Sequence, residues 1–321
     1  MRRSVPGLVS ALVASAFLVS PLLALADTVS VNFESPTYTV GNINGQDGWV
    51  KTGSFDVAVT TNSYGIAAFG GQSLRLSDAV TSGSFGDQTF SKPLTNEAGE
   101  AVAENGGMSG GVRQPHFEAQ FDLASTLSTL QPGMHMSVSP DRGDGARMSY
   151  LRFEDQVDGI HVFFDDVTNP THAVNAETFN ETDIATITRA PHTIKISMDF
   201  VAGPDNDVVK IYIDGVLKAT GTSWEDYYRY DTESNPLAPS DTSRTVDSLL
   251  FRESGANTVA DAGNGFLVDN LTLTSGPIPP TFVVATTKDQ CKGDGWKMVT
   301  RANGSSFKNQ GDCIQFVNTG K

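Results

Sequence analysis

The chain has 321 residues, and its 37 Asp and Glu residues outnumber its 22 Lys and Arg residues, so its formal net charge is −15 at pH 7. Nucleic acids and anionic membrane surfaces repel a chain this acidic, so we expect neither as a partner. After the first 26 residues no stretch is long and apolar enough to span a bilayer, so we also expect no membrane insertion. The acidity is typical of an extracellular protein that stays soluble or binds Ca²⁺.

The first 26 residues have the features of a secretory signal. The chain starts with MRR, an apolar run covers about residues 8–25, and residues 24–26 read Ala-Leu-Ala, the small-x-small pattern that signal peptidase accepts. The alternative is an uncleaved membrane anchor, but several Ser residues and Pro21 interrupt the run. We therefore predict cleavage after Ala26 and a secreted protein of residues 27–321.

Residues 27–274 carry the sequence pattern of antiparallel β-sheets. Short runs that alternate apolar and polar residues are separated by clusters of Gly, Asn, Asp and Pro, and no window has a sustained helical period. Asp214-Gly215 stands between two such runs, as in a two-residue hairpin turn. Since the alternation gives each sheet one buried face, it predicts an all-β sandwich or barrel. The runs include TVSVNFE, SLRLS, HFEAQFDL, MHMSVS, SYLRFE, GIHVFF, TIKISMDF, VVKIYID, SLLFRE and GFLVDNLTL.

The C-terminal part is predicted to be a separate small module. Residues 275–281, SGPIPPT, are too rich in proline for a central strand and favour an extended linker. The module, residues 282–321, contains Cys291 and Cys313, which in an exported protein most simply form one disulfide. Because a module of this size buries little apolar area, the disulfide and a few aromatic residues must hold it together.

Three stretches resemble secreted bacterial concanavalin A-like (LamG-like) jelly-roll proteins: FESPTYTVGNINGQDGW near the start, KIYIDGVLKAT late in the chain, and GFLVDNLTLTS at the end of residues 28–274. The resemblance implies a jelly-roll sandwich of two antiparallel sheets whose first and last strands are neighbours. It also implies a concave face that holds glycan. In the enzyme members, that face belongs to a glycoside hydrolase or a polysaccharide lyase.

The function expected from this resemblance is extracellular recognition of a polysaccharide or other glycan. The alternative is a polysaccharide lyase or glycoside hydrolase that uses the same face. A third possibility is a cell-surface or matrix interaction protein that docks through its C-terminal module. The segment CKGDGW…FKNQGDCIQFV in that module is similar to C-terminal segments of other exported bacterial proteins, whose role is unknown. We expect the protein to be a monomer.

Three predicted strands carry ionisable residues on one side. In RQPHFEAQF, His116, Glu118 and Gln120 share one parity and three apolar residues share the other. The runs SYLRFE and GIHVFFDD alternate in the same way. If the three strands lie in one sheet, they form a single polar surface that suits a glycan, since rings pack on sugars and fixed polar groups bond hydroxyls. This predicted polar face consists of His116, Glu118, Gln120, Tyr150, Arg152, Glu154, His161 and Asp165.

Two kinds of catalysis would be possible on such a face. Hydrolysis needs two carboxyl groups that flank the bond, which Glu118 with Glu154 or Asp165 would supply. A lyase needs a base and an acid, together with arginines that neutralise a uronate. The simpler alternative is that these are solvated strand residues joined by cross-strand ion pairs. The catalytic candidates are His116, Glu118, Tyr150 and His161, and the candidates for substrate binding are Arg113, Gln120, Arg147, Arg152, Glu154 and Asp165.

A structural Ca²⁺ site is implied by the resemblance. In related carbohydrate-binding sandwiches, a Glu after the first strand and an Asp from the last strand often bind one Ca²⁺ through hard oxygen ligands. Glu34 and Asp269 match this pattern in type and position. The alternative is that Glu34 is an ordinary strand-end charge and Asp269 an edge residue.

A cluster of aromatic residues follows the last hairpin, in the stretch SWEDYYRYD. Trp224, Tyr227 and Tyr228 would share one face of a short helical turn. We expect these rings to pack at the edge of a sheet rather than to form a platform for a sugar, and we expect Trp49 to lie in the core.

Overall fold

A computed structural model describes residues 26–53, 55–77, 86–100, 111–232, 244–255, 263–279, 283–302 and 305–320. The predicted signal peptide, apart from Ala26, lies outside the described residues. None of the helices in the described ranges has the length and the apolar composition that crossing a bilayer requires.

The described residues form a sandwich of antiparallel strands. A nine-stranded sheet has the order β15–β14–β13–β8–β18–β5–β4–β2, with β1 paired to β18, and a seven-stranded sheet has the order β12–β11–β10–β9–β17–β6–β3. Strands β7 and β16 pair separately. The strand bounds are β1 Asp27–Val31, β2 Gly41–Asn42, β3 Val50–Lys51, β4 Val57–Thr61, β5 Gln72–Ser77, β6 Thr89–Phe90, β7 Ala98–Gly99, β8 His116–Ser125, β9 Met134–Asp141, β10 Tyr150–Gln156, β11 Gly159–Thr168, β12 Thr178–Ile187, β13 His192–Asp199, β14 Val208–Ile213, β15 Val216–Gly221, β16 Thr245–Val246, β17 Ser248–Gly255 and β18 Gly265–Gly276.

The predicted all-β sandwich of two antiparallel sheets is confirmed. The first and last strands are neighbours, since β1 pairs with β18 from Asp27 opposite Ser275 to Val31 opposite Leu271. The only α-helix within the sandwich part that the structure describes is α1 (Glu225–Tyr230), and a 3-10 helix covers Ala67–Phe69.

The core lies between the two sheets. Phe121 of β8 and Phe153 of β10 are fully buried, and their rings meet edge to face with centroids 6.4 Å apart. Trp49 is also fully buried, as predicted, and packs on Phe251 of β17. Burial of each such side chain stabilises the fold by roughly 1.5–3 kcal/mol. These contacts show that the apolar sides of β8 and β10 face each other.

The prediction of one common polar face is therefore wrong. β8 belongs to the nine-stranded sheet, where it pairs with β13 and β18, whereas β10 and β11 pair with each other in the seven-stranded sheet. Because the apolar sides of the sheets meet, their outer faces, the sides turned away from the core, point in opposite directions. His116, Glu118 and Gln120 lie on one outer face, and Tyr150, Arg152, Glu154, His161 and Asp165 lie on the other. Alternation predicts which side chains share a side of a strand, but not which sheet the strand joins.

The C-terminal module is held by its disulfide and a small apolar cluster. It contains α2 (Lys288–Cys291), a 3-10 helix (Gly295–Lys297) and α3 (Gln310–Thr319). The predicted Cys291–Cys313 disulfide is present. Strand β18 ends at Gly276, so it includes the first two residues of the predicted linker. The buried cluster of the module consists of Ala285, Cys291, Val299, Phe307 and Cys313.

Candidate functional site

The outer face of the nine-stranded sheet is occupied by ion pairs. His116 Nδ1 lies 2.6 Å from Asp199 Oδ1, and the His116 side chain is only 7% exposed. Lys195 Nζ donates to Glu118 Oε2 at 3.2 Å. Near the start of β8, Arg113 Nε donates to Glu97 Oε1 at 2.9 Å. His116 is thus a buried, paired group rather than an open base, and these residues do not form a cleft.

The outer face of the seven-stranded sheet keeps the other half of the predicted face together. Across β10 and β11, Tyr150 lies opposite Asp165, Arg152 opposite Phe163, and Glu154 opposite His161. Cross-strand neighbours of this kind have Cβ atoms about 5 Å apart. The structure therefore brings together all five of the predicted residues that belong to β10 and β11.

Arg152 is locked in the middle of this face. Its guanidinium lies 4.0 Å from the centroid of the Phe163 ring, its Nε donates to Glu181 Oε1 at 2.9 Å, and it also pairs with Glu154. Hydrogen bonds to both glutamates raise its pKa, although burial acts in the opposite direction. A guanidinium with these partners has little capacity left to neutralise the carboxylate of a uronic acid.

His161 is held between two carboxyl groups. Its Nδ1 lies 2.7 Å from Asp183 Oδ2, and its Nε2 lies 2.9 Å from Asp158 Oδ1. The hydrogen bond to Asp183, followed by the one to Asp158, raises the pKa of His161. An imidazolium with both nitrogens engaged is a poor general base. The predicted lyase pairing of His116 or His161 with Tyr150 therefore finds no support in this geometry.

A cavity of about 590 Å³ adjoins this outer face where α1 approaches β10 and β11. One wall is aromatic. The Trp224 ring stacks on Tyr150 with centroids 5.8 Å apart, and Phe179 meets Trp224 edge to face at 5.1 Å and Tyr227 at 5.6 Å. Phe179 is 45% exposed. The lining consists of Gly86, Gln88, Asp144, Gly145, Ala146, Arg147, Phe179, Trp224, Tyr227, Tyr228 and Asp231.

Trp224 is fixed in place by two hydrogen bonds. Its indole Nε1 donates to the backbone oxygen of Asp165 at 2.9 Å, and its backbone N donates to the oxygen of Met148, also at 2.9 Å. The ring is therefore anchored to β11 and to the segment that leads into β10. The wall of the cavity is preorganised by the sheet rather than carried on a free loop.

The opposite side of the cavity is a loop held by Asp141. Asp141 is fully buried, and its Oδ1 accepts hydrogen bonds from the backbone N–H groups of Gly143 at 2.6 Å, Asp144 at 3.1 Å and Gly145 at 3.2 Å. Burial raises the pKa of Asp141 to about 6, although two of these N–H groups act in the opposite direction. The loop ends at Arg147, whose Nη1 donates to the Gly145 oxygen at 3.2 Å.

Asp165 is the most perturbed carboxyl group of the predicted face. Burial, followed by the charges of Glu181 and Asp166, raises its pKa to about 6. Its Oδ1 is buried and has no hydrogen-bond partner among the described residues. Asp165 does not line the cavity, although its backbone oxygen holds Trp224, which does. A carboxyl group with a raised pKa is a candidate for proton transfer or for binding a donor.

The predicted metal ligands lie near each other. Glu34 Oε1 accepts hydrogen bonds from the backbone N–H groups of Gly71 at 2.6 Å and Gln72 at 3.2 Å. Asp269 is buried, and burial together with the charges of Glu34 and Asp122 raises its pKa to about 7. In the described part of the chain no Lys, Arg or His forms an ion pair with Asp269. Among the described residues, however, the three carboxyl groups whose ligand atoms lie within 4.8 Å of one another are a different set. The sequence pattern did not identify Asp122, which β8 places opposite Asp269.

A second buried acidic group was not predicted. Ligand atoms of Glu100, Asp207 and Glu225 lie within 4.8 Å of one another, so this triad could hold a metal ion. Two arginines balance part of its charge, however. Arg229 Nη2 donates to Glu100 Oε2 at 2.6 Å, and Arg244 Nε donates to Glu100 Oε1 at 2.6 Å. Glu100 and Glu225 of the triad are thus paired with arginines, whereas Asp207 forms no ion pair among the described residues.

The cavity is the part of the site that the sequence did not predict. Trp224 and Tyr228 are buried and belong to the main apolar cluster, as expected, but they also line the cavity. Phe179 carried no signal, because a single aromatic residue in a polar strand is common. The cavity combines short stretches from four regions of the chain, and only their spatial proximity reveals it.

The chain matches no protein-family model and no curated protein. Its fold is similar to that of several solved structures. A carbohydrate esterase from Shiga toxin-encoding bacteriophage phi24B is 16% identical, with 77% of this chain and 97% of that chain covered and a TM-score of 0.38. An alginate lyase from Pseudomonas aeruginosa is 8% identical, with 63% and 82% covered and a TM-score of 0.36. An endo-1,3-beta-glucanase from Streptomyces sioyaensis is 14% identical, with 59% and 76% covered and a TM-score of 0.31. These values are too low to assign a function.

Proposed function

We propose that this protein binds a glycan in the cavity between the 142–147 loop and α1. The observation that carries the proposal is the aromatic wall of Phe179, Trp224 and Tyr227 along a cavity of about 590 Å³. Sugar rings have apolar C–H faces that pack on aromatic rings, and cavities of about 300–1,000 Å³ are typical of small-ligand sites.

The polar residues of the cavity are positioned to bond sugar hydroxyls. Gln88, Asp144 and Asp231 line it together with the rings. Tyr150 continues the aromatic surface from Trp224 onto the outer face of β10. A glycan that stacks in the cavity can therefore extend over the face that carries Arg152 and Asp165.

The experiment is glycan-array binding by the mature protein and two variants. Tyr227→Ala removes a ring that is only partly buried, and we expect it to abolish retention of any glycan that the wild type retains. Tyr212→Ala is the matched control, because Tyr212 is an aromatic residue on β14 of the other sheet. Retention that survives Tyr227→Ala but not Tyr212→Ala would place binding elsewhere and contradict the proposal.

Catalysis at the same site is a second candidate, favoured by the raised pKa of Asp165. A protonated carboxyl group close to neutral pH can act as a general acid in glycoside hydrolysis. The test is to incubate the protein with a panel of polysaccharides and to measure new reducing ends and the absorbance of unsaturated lyase products. Release that disappears in Asp165→Asn supports an enzyme, and silence in both assays removes this candidate.

We also propose that Glu34, Asp269 and Asp122 hold a structural Ca²⁺. What supports this proposal is the buried Asp269, whose pKa is raised to about 7 by burial and by the charges of Glu34 and Asp122. Carboxylate oxygens are the ligands that Ca²⁺ prefers, and a bound ion would keep Asp269 ionised. The other acidic site, Glu100–Asp207–Glu225, is less suitable because its arginine partners supply the positive charge.

The last element of the proposal is export. The basic start, the apolar run and the Ala-x-Ala pattern support secretion with cleavage after Ala26. Mass measurement of the protein recovered outside an expressing cell tests it. A mature chain that starts at Asp27 is expected, and a protein that stays inside the cell at full length would contradict it.

A further inference from the structure

The cavity is rich in carboxyl groups. Asp144 and Asp231 line it, and Glu177 lies in hydrogen-bond contact with Asp231. Asp141 supports the loop, and Asp165 accepts the Trp224 indole through its backbone oxygen. Among the described residues, the lining contributes two carboxyl groups, Asp144 and Asp231, and one guanidinium group, that of Arg147. Glu177 adds a third carboxyl group through its contact with Asp231, and Arg142 adds a second guanidinium group through its pair with Asp144.

Both arginines are already engaged. Arg142 Nη2 lies 2.7 Å from Asp144 Oδ2. Arg147 is buried, donates to the Gly145 oxygen, and interacts electrostatically with Asp141. The cavity is therefore electronegative, and an anionic sugar would be repelled from it.

The negative charge is concentrated where Glu177 and Asp231 are in contact. Burial, followed by the hydrogen bond with Asp231, raises the pKa of Glu177. Glu177 Oε2 is buried and has no hydrogen-bond partner among the described residues. Two carboxyl groups in contact need a shared proton or a cation between them. An ammonium group satisfies this need, because it brings one positive charge and three N–H donors.

The aromatic wall favours the same ligand. The faces of Trp and Tyr rings attract cations, and this attraction adds to that of nearby carboxylates. Phe179 and Tyr227 line the cavity together with Asp231. The arrangement differs from the lyase site suggested by the sequence, which would need arginines free to neutralise a uronate.

We propose that the sugar bound in this cavity is an amino sugar whose protonated amine is held by Glu177 and Asp231 and whose ring packs on Trp224 and Tyr227. This inference rests on the proposed glycan-binding function. The ligand class is a cationic, glucosamine-containing oligosaccharide, and uronate-containing oligosaccharides are excluded from the cavity.

The test is isothermal titration with oligomers of glucosamine and with the same oligomers after N-acetylation, at neutral and at mildly acidic pH. The two ligands share ring, linkage and hydroxyls, and they differ at the nitrogen, which N-acetylation turns into a neutral, bulkier amide. We expect the amine form to bind on the order of tenfold more tightly, and this preference to shrink as salt is added. Alginate and neutral β-glucan oligomers complete the panel.

Two variants test whether Glu177 and Asp231 cause the preference for the amine form. Glu177→Gln and Asp231→Asn keep the side-chain shapes and remove the charges, so each should move the ratio of the two dissociation constants toward one. Glu118→Gln, which removes a carboxylate from the opposite face, is the matched control and should leave the ratio unchanged. Equal or tighter binding of N-acetylated, neutral or uronate oligomers overturns the amine inference while glycan binding stands. Binding of none of the oligomers overturns both.

Discussion

The two outer faces of the sandwich carry similar residue types but use them differently. On the nine-stranded sheet, His116 pairs with Asp199 and Glu118 with Lys195, and neither His116 nor Glu118 is among the residues that line the cavity. On the seven-stranded sheet, Arg152 and His161 also form ion pairs, but the face that carries them adjoins a cavity with an aromatic wall. Both faces are polar, but in the described part of the chain it is the second face that adjoins the cavity with the aromatic wall.

The difference between these faces comes from what lies over them. α1 and the 142–147 loop rise beside β10 and β11, and Trp224 is anchored to Asp165 and Met148. β8 lies inside its sheet between β13 and β18, and its outer side chains meet the charges of those strands. A polar strand face can thus form part of a binding cavity when a helix or loop packs beside it, as α1 and the 142–147 loop do here.

Among the substitutions, Trp224→Ala should lower the free energy of unfolding the most. Trp224→Ala removes a ring that is 8% exposed and packs on Tyr150 and Phe179, so the free energy of unfolding should fall by about 3–5 kcal/mol. Glycan binding should disappear with it. Denaturant unfolding measures the first effect and titration of the folded variant the second. Tyr212→Ala on the other face should lower the free energy of unfolding far less and leave glycan binding intact. A larger loss of stability and of binding for Tyr212→Ala than for Trp224→Ala would show that the two faces do not differ as described.

Removal of Ca²⁺ is expected to have the next largest effect, and it concerns β8 and β18 in the middle of the nine-stranded sheet. At one hundred times its dissociation constant, a bound ion adds about 2.7 kcal/mol to stability. EDTA should therefore lower the melting temperature of the wild type, and Glu34→Ala should abolish that response. The response should also weaken at mildly acidic pH, where Asp269 is protonated. A melting temperature that ignores both EDTA and added Ca²⁺ would reject the site.

In the absence of Ca²⁺, the melting temperature should fall by several degrees as the pH rises from about 4 to 8. Burial raises the pKa of Asp165 to about 6, of Asp269 to about 7, and of Asp207 and Asp226 to about 8. A carboxyl group with a raised pKa in the fold keeps a proton that the unfolded chain has lost. The stabilisation is therefore greatest near the unfolded pKa of about 4 and is gone above the folded pKa.

Two isosteric variants assign this pH dependence to one side of the molecule. Asp226→Asn in α1 and Asp269→Asn in β18 each mimic the protonated side chain, so each should flatten part of the curve. If the flattening is greater for Asp226→Asn, the buried carboxyl group of α1 makes the larger contribution to the pH dependence of stability. A stability that rises steadily with pH over this range in the wild type would show that the buried carboxyl groups are ionised in the fold.

The smallest expected effects are those of single ion pairs on the two faces. Lys195→Ala and Arg152→Ala each break an outer-face pair, and partly exposed pairs contribute about 0–1 kcal/mol. Arg152→Ala should cost more, because it also removes the contact with the Phe163 ring. Differential unfolding of the two variants measures this, and a larger loss for Lys195→Ala would reverse the ranking.

Much of the local structure could be predicted from the sequence. Asp214 and Gly215 have φ angles of 51° and 75°, as the predicted two-residue turn between β14 and β15 requires. The alternation in β10 is also confirmed, since Leu151 and Phe153 are fully buried and Arg152 is not. These features depend on neighbouring residues only, so a local pattern determines them.

The candidate site could be predicted only in part. The pairing of Tyr150 with Asp165 and of Glu154 with His161 joins two strands linked by a tight turn, and the alternation of each strand was correct. The position of β8 depends on β13 and β18, which lie about 70 and 150 residues later, and no local pattern encodes that partnership. The cavity was missed for the same reason, because Phe179, Trp224 and the 144–147 stretch meet only after the sheets form.

Hydrogen–deuterium exchange with and without the retained glycan tests the central claim most directly, because it compares both outer faces in one experiment. We predict slower exchange in peptides that cover residues 142–150 and 222–232, and unchanged exchange in peptides from β8 and β14. Protection confined to β8 and β14, with none around α1, would show that the glycan binds the opposite face and would contradict the account.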